Sequence, residues 1–263
     1  MNAPQSRAPG PSIRERAREF PYWLAAIIAL LGWMVYSIAT NATYNDAYHF
    51  IIPGLRTTVE ATAFSFLIAL TIGLIAGLGR ISRNPILRNI AVTYIEFVRG
   101  VPILVLIATV SFVIVPSLAN SFGFENSSVS FFWRACIALS LIYGAYLAEV
   151  FRAGIESVPP GQMEAGRSLG MSTRQTMRLI VLPQAVRNMI PAIGNDLIAM
   201  LKDSSLLSFL AVNELTQNGR LYASSTFEFR ASYFILTMIY LSLTLVLSLL
   251  LRWYRRRLGL DDD

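Results

Sequence analysis

Six stretches of this chain are apolar for long enough, or nearly so, to cross a hydrocarbon layer of roughly 30 Å, and this restricts the fold more than any other feature. The first is YWLAAIIALLGWMVYSIA from Tyr22, and the second runs from Thr57 to Leu78. The third begins at Pro102, the fourth at Phe131 and the sixth at Ala231. The fifth, between Ala185 and Val212, is the least apolar. The runs are continuous rather than alternating, so they read as helices and not as barrel strands. Composition agrees: 54% of the 263 residues are hydrophobic and 14% charged, where a soluble domain carries about a quarter charged. The expected fold is all-α, a polytopic membrane helix bundle.

Basic residues set the expected orientation. Arg7, Arg14, Arg16 and Arg18 precede the first span. Arg80, Arg83, Arg88 and Arg99 lie between the second and third, and Arg152, Arg167, Arg174, Arg178 and Arg187 between the fourth and fifth. Arg252, Arg255, Arg256 and Arg257 follow the sixth, whereas the opposite loops hold only Arg56, Arg134, Arg220 and Arg230 at or within their edges. The positive-inside rule then places both termini in the cytoplasm. A long polar stretch precedes the first span and no cleavage-like site follows it, so no cleavable signal is expected. One cysteine, Cys136, and one histidine, His49, exclude an internal disulfide, a cysteine metal site and a histidine metal site.

Within the second span, Gly73 and Gly77 have the G-x-x-x-G spacing that lets two helix backbones approach closely. Pro85–Val98 reads as a helix at the cytoplasmic interface, broken at RGVP. Between the fourth and fifth spans the chain keeps a long polar loop, SVPPGQMEAGRSLGMSTRQTMRLIVLP. Ser157 is a candidate N-cap, with Pro159 and Pro160 tolerated in a first turn. Gly170 stands where that helix ends and a left-handed residue is wanted. Ser172 and Gln175 have capping-box spacing, so a second helix starts at once, and Pro183 interrupts it or marks a bend. Helix, tight turn, helix suits rigid docking into another protein, or a loop that caps its own bundle.

The same stretch resembles the EAA loop of the permease subunits of bacterial ABC importers. Glu164, Ala165, Gly170, Ile180, Leu182 and Pro183 fall in register with that pattern, and Gly166 replaces its second Ala. The segments YIEFVRGVPILVLI, GAYLAEVFRAGIESVPPGQMEAGRSLGMS and LKDSSLLS resemble the branch that imports polar amino acids. The chain departs from that branch at Val101, where Thr is usual, at Leu106, where many relatives have Gln, and at Ser204, where Thr is common.

The resemblance implies a type I importer permease fold of five core helices, with the span at Tyr22 as an additional one, about six in all. It divides the chain into a cytoplasmic segment 1–21, an extra helix and outer loop 22–47, a permease core 48–257 with its coupling loop at 157–183, and an acidic tail 258–263. It implies a multi-pass protein of the bacterial inner membrane that carries an amino acid and catalyses nothing itself. The implied partners are ABC ATPase subunits that bind ATP and Mg, a second permease (a copy or a sister chain), an extracytoplasmic solute-binding protein and membrane lipid, with no nucleic acid. The chain has no phosphate-binding loop of its own, so no cofactor is expected in it. Neither H-E-x-x-H nor G-x-S-x-G occurs, which argues against an intramembrane enzyme. An ATP-independent channel or secondary transporter is the alternative, and no internal repeat supports it.

Charged groups inside the membrane are costly and face the bundle interior or water. The fifth span carries Asn195, Asp196, Lys202, Asp203 and Ser204 as candidate pathway or gating residues. Asp196 and Asp203 share one helix face, and Asn195 and Lys202 a neighbouring one. Two readings stand: Lys202 attracts a zwitterion's carboxylate and an Asp its ammonium, or Lys202 pairs with a carboxylate to hold a kinked helix. The LKDSSLLS sequence is a place for the helix to break. Glu149 is expected to meet Arg152 or a neighbouring helix, and Arg99 a lipid phosphate or a buried acid.

Overall fold

A computed structural model describes residues 22–125 and 128–259, and among them every regular element is a helix. The expected cytoplasmic segment 1–21 and most of the acidic tail lie outside the described residues. In chain order the helices are α1 (Tyr22–Thr40), α2 (Ala42–Ile51), α3 (Gly54–Arg80) and α4 (Pro85–Gly100). Next come α5 (Ile103–Thr109), a π-helical turn (Val110–Ile114), α6 (Val115–Ser121) and α7 (Phe131–Glu156). The loop helices α8 (Pro160–Ser168) and α9 (Thr173–Thr176) lead through a second π turn (Met177–Val181) into α10 (Leu182–Asp203). A 3₁₀ helix (Ser204–Leu210), α11 (Leu215–Thr226) and α12 (Phe229–Arg257) complete the chain.

By length and composition, four helical segments suffice to cross a membrane: Ala42–Arg80, Ile103–Ser121, Phe131–Glu156 and Phe229–Arg257. The first and fifth expected spans fall short of that standard for different reasons. Ala25–Thr40 is apolar but shorter. The fifth is not one helix: α10 carries Arg187, Asp196, Lys202 and Asp203, stops at Asp203 and tightens to 3₁₀ as far as Ala211, which is left-handed at φ 55°.

The core is built on α3 against α7. Ala61, Ser65, Ala69, Gly73 and Gly77 recur every fourth residue on α3 and are all buried. Cys136, Ser140, Gly144 and Ala148 do the same on α7. Small side chains on both faces bring the backbones together, the usual basis of helix association in lipid. A Cβ added at Gly73 would lie 2.7 Å from the Leu147 Cβ, and one at Gly77 2.9 Å from the Ala148 carbonyl oxygen. Hydroxyls bond across the seam: Ser65 donates to the Cys136 carbonyl at 3.2 Å, and Ser140 to the Ser65 carbonyl at 3.2 Å. Leu139, Ile142, Leu147, Met200 and Leu207 fill the space around it.

At the far end of α3, a second apolar cluster joins α2, α11 and α12 through Ile51, Leu215, Tyr222, Ile235 and Ile239. Helix α1 packs on α12 through Trp33 and Phe234, whose rings meet edge-on at 4.5 Å. The amphipathic α4 runs from its Asn84 cap to Gly100 and is broken at Val101–Pro102, as RGVP predicts.

Candidate coupling loop and polar pathway

The loop between α7 and α10 is a short helical hairpin fixed at every joint. Ser157 is not the N-cap of α8; it ends α7, because Pro159 supplies the cap and Pro160 the first helical residue. The Ser157 hydroxyl donates to the Gly154 carbonyl at 2.8 Å and accepts from the Asn188 amide at 2.8 Å, tying α7 to α10. At the other end of α8, Gly170 is left-handed at φ 80°. Its N–H donates to the Arg167 carbonyl at 3.0 Å, and the Met171 N–H to the Gly166 carbonyl at 3.1 Å. Those two bonds form a Schellman closure, which satisfies carbonyls that the helix end would orphan. The capping box at Ser172 and Gln175 is present with both of its bonds, 3.3 Å and 2.9 Å.

The hairpin closes tightly on itself. A Cβ on Gly166 would sit 2.5 Å from the Thr176 methyl and 3.1 Å from the Ile180 side chain. Beneath, Val158, Val181, Ala185 and Met189 form a small core with Met163 and Met177. Outward, α8 presents Glu164, Ala165 and Arg167, and beyond it Leu169 is 80% exposed. Leu182 and Pro183 are exposed at the start of α10, next to Leu179. Pro183 does not end the helix. It follows the π turn, where the wider winding accommodates the N–H that proline lacks.

An ion-pair network lies where α7 enters this loop. Glu149 is held by Arg80 of α3 at 2.6 Å and by Arg152 at 2.8 Å, so it has both the neighbour along its helix and one on another. Arg80 also reaches Glu96 of α4 at 3.2 Å, and Arg152 pairs with Glu156. Arg99 has no acid within ion-pair distance among the described residues; its guanidinium lies over the Tyr146 ring, 6.0 Å from the centroid.

Tyr146 leads to the polar end of α10. Its ring is 5.8 Å from that of Tyr143, and the Tyr143 hydroxyl donates to Asp203 at 2.8 Å. One carboxylate oxygen of Asp196 is buried and accepts no hydrogen bond among the described residues. Asn195 and Lys202 are exposed, and Ser204 is buried, donating to the Leu201 carbonyl at 2.7 Å. Lys202 has no carboxylate within ion-pair distance among the described residues, and Asp203 accepts from Tyr143.

Two buried polar centres were not anticipated from the sequence. Glu214 is fully buried and caps α11, accepting from the Thr216 and Gln217 N–H groups at 2.8 and 2.7 Å and from the Tyr240 hydroxyl at 3.0 Å. The chain at Glu214 passes so close to α3 that a Cβ on Gly54 would be 2.6 Å from its backbone. Arg134 is buried at the start of α7, donating to the Val129 carbonyl at 2.8 Å and to Ser111 of the π turn at 3.2 Å.

The chain is similar to known proteins over most of its length. The probable amino-acid permease protein YxeN of Bacillus subtilis (strain 168) is 38% identical over 81% of this chain and 96% of its own length. The glutamine transport system permease protein GlnP of Escherichia coli (strain K12) is 34% identical over 79% of this chain and 92% of its own. A crystal structure of an amino acid ABC transporter with histidines has a chain 36% identical to this one, superposing with a TM-score of 0.71 over 79% of this chain and 94% of that one. The family model described as binding-protein-dependent transport system inner membrane component matches residues 69–260, from the middle of α3 past the end of α12. The chain therefore belongs to the family of inner membrane components of binding-protein-dependent transport systems.

Proposed function

We propose that this chain is the membrane-spanning permease subunit of an ATP-driven amino acid importer, coupled to a separate ATPase through α8. The observation that carries the coupling role is the hairpin itself, closed by a Schellman turn, a capping box and the Gly166–Thr176 contact, with Glu164, Arg167 and Leu169 facing out. A loop that only capped its own bundle would turn Leu169 inward. The reading is supported by the amino acid permease names of its relatives.

In the proposed cycle a solute-binding protein delivers an amino acid to the outer face, and two permeases, identical or sister chains, form the pathway. ATP and Mg bind in the partner ATPases, whose closure moves the two hairpins together. ATP and the loaded binding protein both favour the outward-facing state, and each shifts the equilibrium only by its differential affinity. Both termini lie in the cytoplasm in this reading, on the side of the hairpin. For the solute, the Asp196 oxygen that accepts no bond among the described residues suits an ammonium, and Lys202, with no carboxylate at ion-pair distance among them, a carboxylate, with Asp203 beside Tyr143.

The test is affinity purification from native membranes in mild detergent, with the wild type and with Glu164→Lys/Leu169→Asp, two exposed changes that leave the fold intact. An ATPase subunit should accompany the wild type and be lost from the variant, and ATP-dependent uptake in proteoliposomes should be lost with it. Uptake that persists without ATP would overturn the reading in favour of a channel or secondary transporter.

A further inference from the structure

An apolar groove of ≈ 650 Å³ lies between α3 and α4. Its walls are Ile72, Ile75 and Leu78 of α3 and Leu87, Ile90 and Tyr94 of α4. Ile75 and Ile90 are 68% and 62% exposed, so the groove is open along its length. The Tyr94 hydroxyl adds no polarity, because it donates to the Leu141 carbonyl at 2.6 Å.

Polar groups occur at one end only. Ser82 lines that end, and its hydroxyl accepts from the Asn84 N–H while donating to nothing among the described residues. Arg83 follows it directly, and Arg88 lies one turn before Ala91 of the groove wall. Both arginines are exposed, and neither has a carboxylate within ion-pair distance among the described residues. From Ile72 to Ser82 the groove is about 15 Å long at the helical rise, which is half of a roughly 30 Å hydrocarbon core. Its length is one leaflet, and its basic end lies level with Arg80 and Glu149, where α7 turns into the loop.

We propose that this groove is a binding site for an anionic phospholipid of that leaflet, one acyl chain lying between α3 and α4 and the phosphate on Ser82, Arg83 and Arg88. A free phosphate would leave the apolar walls uncovered, and a zwitterionic lipid would leave two arginines without a counter-charge. A second copy of the chain has no need of walls one leaflet long with charge at one end. A seated lipid braces α4 against α3 beside Arg80, which already joins both helices to α7 through Glu96 and Glu149.

The intact transporter is purified in mild detergent and titrated with palmitoyl-oleoyl phosphatidylglycerol or with phosphatidylcholine of the same chains, with binding read by native mass spectrometry. Wild type should retain phosphatidylglycerol on the order of thirtyfold more tightly, the effect of two basic residues at a membrane surface. Arg83→Gln/Arg88→Gln should abolish that preference and keep weak binding of both lipids. Ile90→Trp, at an exposed position that tolerates bulk, should fill the groove and weaken both. Equal retention of the two lipids by wild type, or an unchanged preference in the double variant, would overturn the proposal. So would disulfide cross-linking between two copies through Ile90→Cys in a Cys136→Ser background, since a permease would then occupy the groove.

Discussion

The seam between α3 and α7 makes a quantitative demand on Gly73. An added methyl would find the Leu147 Cβ at 2.7 Å, the Gly144 carbonyl oxygen at 3.1 Å and the Ala148 nitrogen at 3.2 Å. These atoms are backbone or fixed to it, so no rotamer change makes room and the helices must separate. Overpacking a filled core costs about 1–3 kcal/mol, and a rigid wall puts this site near the upper value. Alanine returns about 1 kcal/mol of helix propensity over glycine, leaving a net loss of about 2 kcal/mol. At about 2–4 °C per kcal/mol for a domain of this size, Gly73→Ala should lower the unfolding midpoint by about 4–8 °C. The protein carries its own probe, because its one cysteine, Cys136, is fully buried on the α7 side of the same seam. A dye that fluoresces on reacting with thiols, followed during heating in detergent, reports when the seam opens. Gly32→Ala is the control, since a Cβ there meets nothing within 4 Å, and it should not lower the midpoint. If Gly73→Ala and Gly32→Ala unfold together with wild type, close packing at the seam is not what holds these helices.

Gly166→Ala should reduce ATP-dependent uptake several-fold by forcing α8 off Thr176, and adding Thr176→Ala, which removes both the methyl and the hydroxyl that the new Cβ meets, should restore most of it. Glu214→Ala should cost about 2–4 kcal/mol by orphaning buried donors, while Tyr240→Phe costs about 1, and the two should be strongly non-additive in a thermal double-mutant cycle. Arg134→Met should lower the midpoint by leaving the Val129 and Ser111 carbonyls without their donor, at about 1–3 kcal/mol each, and Arg134→Lys should recover only part of it.

Four of the six spans and the hairpin were legible because each rests on a local signal: a long apolar run, a Gly at a helix end, a Ser three residues before a Gln. The G-x-x-x-G pair was legible too, yet it showed only two rungs of a stripe that begins at Ala61 and faces a matching one from Cys136 to Ala148. Alanine, serine and cysteine carry no spacing signal of their own in so apolar a chain, so the partner stripe emerges only when two helices are laid together. Ser157 misled for a related reason. A serine before two prolines is a good cap candidate, but α7 runs on to Glu156 and Pro159 enters α8 without a side-chain cap. Glu214 gave no warning because Glu is a poor N-cap in isolation, and what stabilises it here is Tyr240, 26 residues away. Arg134 reads as an interfacial charge beside Trp133 until the π turn of another helix supplies it with a carbonyl.

The polar pathway and the hairpin, read separately from sequence, stand on one continuous element. From Thr173 the chain winds through the π turn and α10 to Asp203 without leaving helical geometry, about 45 Å at 1.5 Å per residue. Gly166 and Ile180 press α8 onto one end of it, and the Tyr143–Asp203 bond holds the other to α7. A displacement of α8 reaches Asp196 along helix throughout, passing the π turn and Pro191, the two places on the way where a helix bends most easily. The α3–α7 pair cannot yield to it, because its backbones are already in contact. The interface of α10 with α7 combines the Ser157–Asn188 bond, Met189 over Gly154 and the Tyr143–Asp203 bond with apolar packing of Val150, Phe151 and Ile155 beside Ala185 and Ile193. The polar bonds at the two ends, Ser157–Asn188 and Tyr143–Asp203, can break and re-form, and a transport stroke that moves α10 against α7 has to slide the apolar side chains between them.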